Sequence, residues 1–288
     1  MKVVSSLTKR NIKLFFRDRT SVFFSLLAVL IIFGLFVLFL GNSMSRSFND
    51  VLGTYSRFII DSWLMAGILS VTAITATMGA FGIMVEDRTK KIYKDFSSAP
   101  IKHSQLVGGY IFSSFIIGFI MSLAALIIAE IYIMVNGGSM LGIMSFLKLF
   151  GVMLISTFAA TSMVFFIVTF FKSNSGFSAA STVIGTLIGF LTGIYIPVGR
   201  LPESIQNVIK IFPVSHSAAL FRQIMMESPM NSVFRSAPVS AVSDFKDIMG
   251  VTFSFGSIEF TPFMHILVLV ITGIIFYILA IKRVSIKR

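Results

Sequence analysis

The chain has 288 residues, of which 56% are hydrophobic and only 12% are charged, and its mean hydropathy is +0.92. Soluble domains carry about 25% charged residues, so a soluble globule, a disordered chain and a nucleic-acid-binding protein all fit this composition poorly. The net charge of +12 has another explanation, because lysine and arginine collect on the cytoplasmic loops of membrane proteins. The composition therefore predicts an all-α integral membrane protein that contacts the lipid bilayer and no nucleic acid.

Six segments are long and apolar enough to be transmembrane helices, which need about 20 mostly apolar residues. They lie at 22–40, 62–85, 106–135, 149–171, 177–196 and 263–281. The apolar core of the first is longer than that of a signal peptide, so we expect it to be retained. The whole of 1–288 is then one transmembrane domain with six spans.

The basic residues predict the orientation of these spans. Sixteen of the 24 lysines and arginines fall in the N-terminal stretch, the loops after the second and fourth spans, and the C-terminal tail. All four segments lie on the same side if there are six spans, and the positive-inside rule makes that side cytoplasmic. We therefore expect a multi-pass protein with both termini in the cytoplasm. The absence of a signal or transit segment favours the plasma membrane of a prokaryote.

Residues 3–20 are predicted to form an amphipathic helix before the first span. At 100° per residue, Leu7 and Phe15 share one face. The opposite face is basic and carries Lys9, Arg10, Lys13 and Arg17. Such a helix lies in the membrane interface, with its apolar face in the acyl boundary and its basic face towards anionic headgroups. The alternative is an ordinary basic flank that only sets the topology.

The loop after the second span combines charged and aromatic residues and ends at a proline, which disfavours further helix. A short charged helix of this kind suits docking to a cytoplasmic partner. The alternatives are a solvated loop with topogenic charges and a surface that attracts anionic lipid. The candidate docking residues are Glu86, Asp87, Arg88, Lys90, Lys91, Tyr93, Lys94, Phe96 and Pro100.

Proline-broken apolar segments precede the last span on the predicted outer side. Within 201–226, Pro202 and Ser215 are placed to begin two helical pieces that are too short to cross a membrane. Such pieces can re-enter the outer leaflet where protein or water satisfies their freed backbone groups. We expect outer re-entrant half-helices here, followed by a polar external loop over 228–262.

The chain lacks the motifs of an enzyme. It has no Walker A sequence, no HExxH and no GxSxG, and without cysteine it has no thiolate metal site. Its three histidines are expected to be packing residues, so we predict no catalytic residue and no metal.

Two features inside the predicted spans are candidates for function or packing. Glu130 is the only acidic residue well inside a span, which makes it a candidate substrate or gate residue. The alternative is a place at the outer interface. Gly185, Gly189 and Gly193 are spaced by four and line one helical face, either for packing within the chain or for contact between subunits.

Two stretches, in this order within six spans, resemble the membrane subunit of ABC-2-type exporters. They are VEDRTKKIYKDFSSAPIKHSQLVGGY (85–110) and YIPVGRLPESIQNVIKIFPVSHSAALFRQI (195–224). The first is similar to the family's coupling segment and the second to its outer signature. In one departure, the family's usual Gly-Thr followed by an acid is replaced by Lys91, Ile92 and Lys94.

The resemblance implies that 86–100 is a coupling helix that docks into a groove on a separate ATPase subunit. It also implies that the turn at Lys172 makes a second contact with that subunit. It also implies two ATPase copies, which bind the ATP and Mg, and a second permease subunit in a homodimer or heterodimer. This chain then holds no cofactor and is not itself an enzyme. The leading hypothesis is the permease subunit of an ABC exporter for amphipathic or hydrophobic drugs, including multidrug export, or for lipid-like or peptide-like cargo.

Two other function classes remain open from the sequence. An ion-coupled secondary transporter or channel would act without an ATPase, and such transporters often show two related halves, of which we find none here. A non-transporting scaffold or sensor subunit is the third possibility. It predicts that changes to the basic residues of the coupling loop leave transport and ATP hydrolysis unaffected.

Overall fold

The computed structural model describes residues 2–47, 52–98, 101–235, 238–256 and 258–286. These residues form helices joined by short turns, together with one two-stranded hairpin. Four of the helices are long and apolar enough to cross a membrane, and a bent helix near the N-terminus is a fifth candidate. The fold is therefore that of an all-α membrane protein.

The helices and strands of the described residues follow in chain order. They are α1 (Lys2–Arg17), α2 (Arg19–Leu35), α3 (Gly41–Ser47), α4 (Ser56–Thr89), α5 (Ile92–Ser98), α6 (His103–Val135), α7 (Ile143–Val168), α8 (Asn174–Leu191), α9 (Glu203–Ile211), α10 (Pro213–Met225), α11 (Glu227–Val233), α12 (Val239–Met249), β1 (Ser254–Phe255), β2 (Ile258–Glu259) and α13 (Pro262–Ile286). A π-helical turn, Phe36–Leu40, separates α2 from α3, and 3-10 turns occur at Gly53–Tyr55 and Val198–Arg200.

α4 is the central helix of the bundle. It has 34 residues, which corresponds to about 50 Å at 1.5 Å per residue. In its most apolar stretch 83% of the residues are buried, whereas the same measure for α13 is 22%. α2, α6, α7, α8 and α10 all pack against α4, and α13 packs on α7 and α10 at the periphery. The exposed apolar surface of α13 suits contact with lipid.

Local polar contacts set where the first two helices end and begin. The Asp18 side chain accepts the backbone N–H groups of Thr20 and Ser21, and the Ser21 hydroxyl donates to it at 2.6 Å. Side-chain capping of this kind satisfies backbone donors that the helix leaves free. The hydrogen bond from the Ser21 hydroxyl also lowers the pKa of Asp18. α2 is then bent by 52° between Leu27 and Val29.

The bundle has two different ends. The basal end is formed by α1, the last turns of α4, α5 and the first turns of α6. The opposite end carries the cap, defined as residues 192–261, which contains α9 to α12 and the hairpin. Gly193 and Gly250 adopt φ angles of +65° and +64°, which other residues reach only with strain, and they end α8 and α12. The predicted half-helices at 201–226 fall on α9 and α10, and the predicted loop at 228–262 is largely helical.

Among the described residues four helices, or five with the bent one, are long and apolar enough to be spans, so the predicted six are not confirmed. Four of the predicted segments fall on α4, α6, α7 and α13, and the first falls on α2. The segment at 177–196 falls on α8, which runs only from Asn174 to Leu191. Serine and threonine residues lower the hydropathy of α8, so this helix is not apolar enough to count as a span by itself.

α1 packs against protein on the face that was expected to enter the membrane. Leu7, Thr8, Asn11 and Phe15 are buried, and α1 lies along α6. The close approach depends on Gly109 of α6, where an added Cβ would lie 2.6 Å from the Leu7 Cβ. The neighbouring Gly108 is roomier, because its nearest contact would be Val4 at 3.8 Å.

We expect Gly109→Ala to destabilise the docking of α1, because overpacking costs about 1–3 kcal/mol. The matched control is Gly108→Ala on the same helix, which gains the same helix propensity and meets no clash. Thermal unfolding of the purified protein should show a lower midpoint for Gly109→Ala and an unchanged or higher one for Gly108→Ala. Equal midpoints for the two variants would mean that α1 is not held by this contact.

Candidate functional site

The predicted coupling loop is a continuation of α4 followed by a tight turn and a short helix. α4 extends to Thr89, the chain turns at Lys90 and Lys91, and α5 occupies Ile92–Ser98. Lys91 has a φ of +64°, the left-handed region that disfavours residues with a Cβ by roughly 1–2 kcal/mol. Lys91 is the position where the resembled exporters carry glycine, so the departure in sequence falls on a residue with a strained backbone.

Asp87 is the centre of a buried polar cluster at the basal end. It is 3% exposed, and its two carboxylate oxygens accept from the Arg10 guanidinium at 2.7 and 3.0 Å. The Tyr110 hydroxyl donates to the same carboxylate at 2.6 Å. Because these residues belong to α1, α4 and α6, one carboxylate joins three helices. Bidentate, charge-assisted contacts of this kind are among the strongest that side chains make.

Arg10 also connects this cluster to α5. Its guanidinium lies over the Phe96 ring, 5.2 Å from the ring centroid. The hydrogen bond that Arg10 donates to Asp87 raises the pKa of Arg10, so the side chain stays charged. A displacement of α5 would therefore act on Phe96, then on Arg10, and through Asp87 on the central helix α4.

The turn between α7 and α8 lies beside the end of α4. Arg88 donates to the Val168 carbonyl at 3.5 Å, and the Thr89 hydroxyl donates to the Asn174 side chain at 3.4 Å. Lys172 is exposed in this turn. The structure thus brings the predicted second contact next to the first, on one surface of the basal end.

The predicted coupling residues divide into an inner and an outer group. Asp87 and Arg88 make contacts within the protein, and Phe96 is half-buried against its core. Lys90, Lys91 and Lys172 are exposed, and Lys90 pairs with Glu86, which raises the pKa of Lys90. Tyr93 and Lys94 lie in α5. Pro100 lies outside the described residues.

Sequence analysis did not predict the partners of Asp87. Arg10 was assigned to the basic face of an interfacial helix, and Tyr110 to the start of a span. A second buried contact between the same helices, from the Asn11 amide to the Ser113 hydroxyl at 3.2 Å, was also missed. The one available signal was Asn11, a polar residue on the otherwise apolar side of α1.

A large cleft adjoins this cluster, between α1, α2, α4 and α8. Its volume is about 940 Å³, and the exposed Arg17, Asp18 and Lys90 are among its lining residues. The Tyr195 ring, which contacts Gly189, lines the cleft near the cap. The cleft is lined by Arg10, Leu14, Phe15, Arg17, Asp18, Ser21, Phe24, Ser25, Leu27, Ile31, Ile74, Thr75, Met78, Gly79, Gly82, Ile83, Glu86, Asp87, Lys90, Ile92, Asn174, Phe177, Ser178, Ser181, Thr182, Ile184, Gly185, Thr186 and Tyr195.

The cleft lining changes from charged to apolar along its length. Three basic and three acidic residues of α1, its junction with α2 and the end of α4 line the cleft, whereas the exposed Ile31 and the buried Ile74 line it farther along α2 and α4. Ile74 precedes Asp87 by thirteen residues, which is about 20 Å along α4. Thr182 and Thr186 place hydroxyl groups of α8 along the wall, each donating to its own preceding turn. The arrangement matches a molecule with a polar head and an apolar body.

The remaining candidate residues have contacts within the chain. Glu130 accepts the backbone N–H of Leu141 at 3.0 Å and so closes the turn between α6 and α7. Gly189 contacts the Tyr195 ring, Gly193 contacts Val198, and Gly185 lines the cleft. For Gly189 and Gly193 the contacts are therefore within one chain.

Two of the predicted packing histidines form a buried pair. The Nδ1 atoms of His216 and His265 are 2.7 Å apart, next to the Phe253 and Phe260 rings. His216 Nε2 lies 2.8 Å from the Lys210 carbonyl, so His216 donates there and accepts from His265. Within the described part of the chain, no group of three His, Cys, Asp or Glu residues could hold a metal ion.

We expect Asp87→Asn to destabilise the protein by about 3 kcal/mol, because it leaves Arg10 without its charge partner. The control is Glu86→Gln, one residue earlier, which removes an exposed ion pair of less than about 1 kcal/mol. Chemical or thermal unfolding of the two variants measures the difference. A double-mutant cycle with Arg10→Met should give a clear coupling energy, and additive effects would contradict the pairing.

Residues 42–282, more than four-fifths of the chain, match the family described as ABC-2 family transporter protein. No curated protein matches the chain. The long apolar helices agree with membership of this family. The chain therefore belongs to the ABC-2 transporter family, as an ABC permease subunit in the membrane whose family implies an ABC ATPase as its partner.

Proposed function

We propose that this protein is the permease subunit of an ATP-driven exporter for an amphipathic or hydrophobic molecule, such as a drug, a lipid-like molecule or a peptide-like one. The observation that carries the proposal is the cleft of about 940 Å³, which charged residues of α1 and the end of α4 line together with apolar residues farther along α2 and α4. Its volume falls in the upper part of the range of small-molecule sites, roughly 300–1,000 Å³. The charged residues would face a polar headgroup, and the apolar body would extend towards Ile31 and Ile74.

The energy in this proposal comes from ATP and Mg bound by two copies of a separate ATPase subunit. The exposed Lys90, Lys91 and Lys172 form a basic surface at the basal end that suits an acidic groove on that partner. α5 would transmit the partner's movement through Phe96 and Arg10 to Asp87 on the central helix. This chain then hydrolyses no ATP itself.

The direction of transport is supported by the position of the cleft. Several of its charged lining residues belong to the basal end, which the positive-inside rule places in the cytoplasm together with both termini. The cap would then face the outside of a prokaryotic plasma membrane. A substrate entering from the cytoplasm would leave past Tyr195. A second permease subunit, identical or homologous, would complete the pathway opposite α2 and α8.

We expect Thr182→Trp to block export, because the indole would fill the cleft beside α8. The matched control is Val183→Trp on the next residue, which is 57% exposed and does not line the cleft. Export of a hydrophobic dye from cells should fall at least about tenfold in the first variant only, with basal ATP hydrolysis retained in both. Equal export by the two variants would contradict a substrate pathway through this cleft.

We expect Lys90→Glu combined with Lys91→Glu to weaken binding of the ATPase subunit, because both side chains are exposed on the proposed docking surface. Lys9→Glu combined with Lys13→Glu is the control, since it makes the same charge change on exposed positions of α1. Co-purification of the complex and substrate-stimulated ATP hydrolysis are the measurements. Isolation of an active chain without any ATPase subunit, transporting on an ion gradient, would favour the secondary-transporter alternative.

A further inference from the structure

Arg222 of α10 is fully buried, with an exposed fraction of 0%. Among the described residues no carboxylate pairs with it, and its hydrogen bonds go to backbone carbonyls. Nη2 donates to the carbonyls of Thr192 and Gly193 at 3.0 and 3.2 Å, and Nη1 donates to that of Gly250 at 3.3 Å. A buried cation is costly unless it is compensated, so these contacts need an explanation.

The compensation comes from the ends of two helices and one aromatic ring. Thr192 follows the last residue of α8, and Gly250 follows the last residue of α12. The C-terminal end of a helix carries a partial negative charge, which favours a cation there. The guanidinium also lies over the Trp63 ring of α4, 4.9 Å from its centroid. Trp63 in turn donates to the Met249 carbonyl at 2.7 Å.

Arg222 therefore joins α8, α12 and the central helix α4 at one point, directly beyond the capped end of the cleft. Next to its carbonyl partners, Ile194 packs against α4 so closely that a Cβ on Gly67 would lie 2.9 Å from it. The Tyr195 ring lies on Gly189 and lines the end of the cleft. A path from the cleft to the cap side requires the end of α8 to move away from α4, and that movement separates Thr192 and Gly193 from Arg222.

We propose that Arg222 is the latch of an outer gate, which consists of the end of α8 with Ile194 and Tyr195. In the closed state Arg222 holds the end of α8 against α4 through the carbonyls of Thr192 and Gly193. When the gate opens, Arg222 releases these two carbonyls and keeps its contact with the Gly250 carbonyl. Arg222 is a positioning residue in this scheme, because it touches no substrate. The proposal rests on the proposed function, in which substrate leaves the cleft past Tyr195.

The sequence contains no cysteine, so a single introduced thiol reports without background. Ile194→Cys is the reporter, because Ile194 is 3% exposed beside the latch. Val239→Cys measures access from outside, because Val239 is an 86% exposed residue of the cap. Ala219→Cys reports on whether the cap stays folded, because the exposed fraction of Ala219 is 0%. Each is combined with native Arg222, Arg222→Met or Arg222→Lys in the full complex in whole cells. The probe is a membrane-impermeant maleimide.

With Arg222→Met we expect Ile194→Cys to react at least about tenfold faster without turnover. The reason is that each hydrogen bond to a charged group changes the ratio of closed to open gate by more than about tenfold. Arg222→Lys should restore part of the protection, since an ammonium can still donate to a carbonyl. Val239→Cys and Ala219→Cys should react at the same rate in all three backgrounds. With native Arg222, Ile194→Cys should become reactive only during ATP turnover.

Two results would overturn the latch. One is an unchanged reaction rate of Ile194→Cys in Arg222→Met, and the other is parallel exposure of Ala219→Cys, which would show that Arg222 holds the cap folded. A Val239→Cys variant that reacts only from the cytoplasm would contradict the proposed function separately. A membrane-permeant maleimide would then still compare the rates of Ile194→Cys with and without Arg222, and so decide the latch.

Discussion

The central constraint in this protein is that α4 is one continuous buried helix with a charged contact at each end. Trp63 near the cap and Asp87 near the basal end are 24 residues apart, which is about 36 Å along the helix. An arginine from another helix meets each of them, Arg222 at the first and Arg10 at the second. In the proposed mechanism, a displacement of α4 at the Asp87 end would change its packing at the Trp63 end.

The two arginines are stabilised in different ways, and the difference suits their positions. Arg10 pairs with a carboxylate and retains some exposure, so its contact withstands movement of the surrounding helices. Arg222 is fully buried and depends on carbonyls at two helix ends, so its energy changes as soon as one helix end moves. In the proposed mechanism, the ion pair at the basal end would stay formed and the contacts of Arg222 near the cap would be released, so that force passing along α4 would open the gate.

Hydropathy was enough to predict the helices that are apolar on all sides, which are α4, α6, α7 and α13. It was not enough to predict the contacts of Asp87, which was expected to face a partner and is instead buried. Its partner Arg10 lies 77 positions away, and no local pattern shows which face the last turn of α4 presents. The same limit applies to Arg222, whose acceptors are backbone carbonyls that carry no mark in the sequence.

α8 shows why the predicted fifth span, 177–196, could not be confirmed and why its composition is informative. Its serine and threonine residues lower its hydropathy, yet Ser178, Ser181, Thr182 and Thr186 all line the cleft. The hydroxyls of Ser181, Thr182 and Thr186 donate to the helix's own carbonyls, which lowers the cost of burial while leaving a polar wall. A helix built in this way is poorly suited to lipid on that face and well suited to an amphipathic substrate. In the proposed complex, α8 crosses the membrane because protein and substrate cover its polar side.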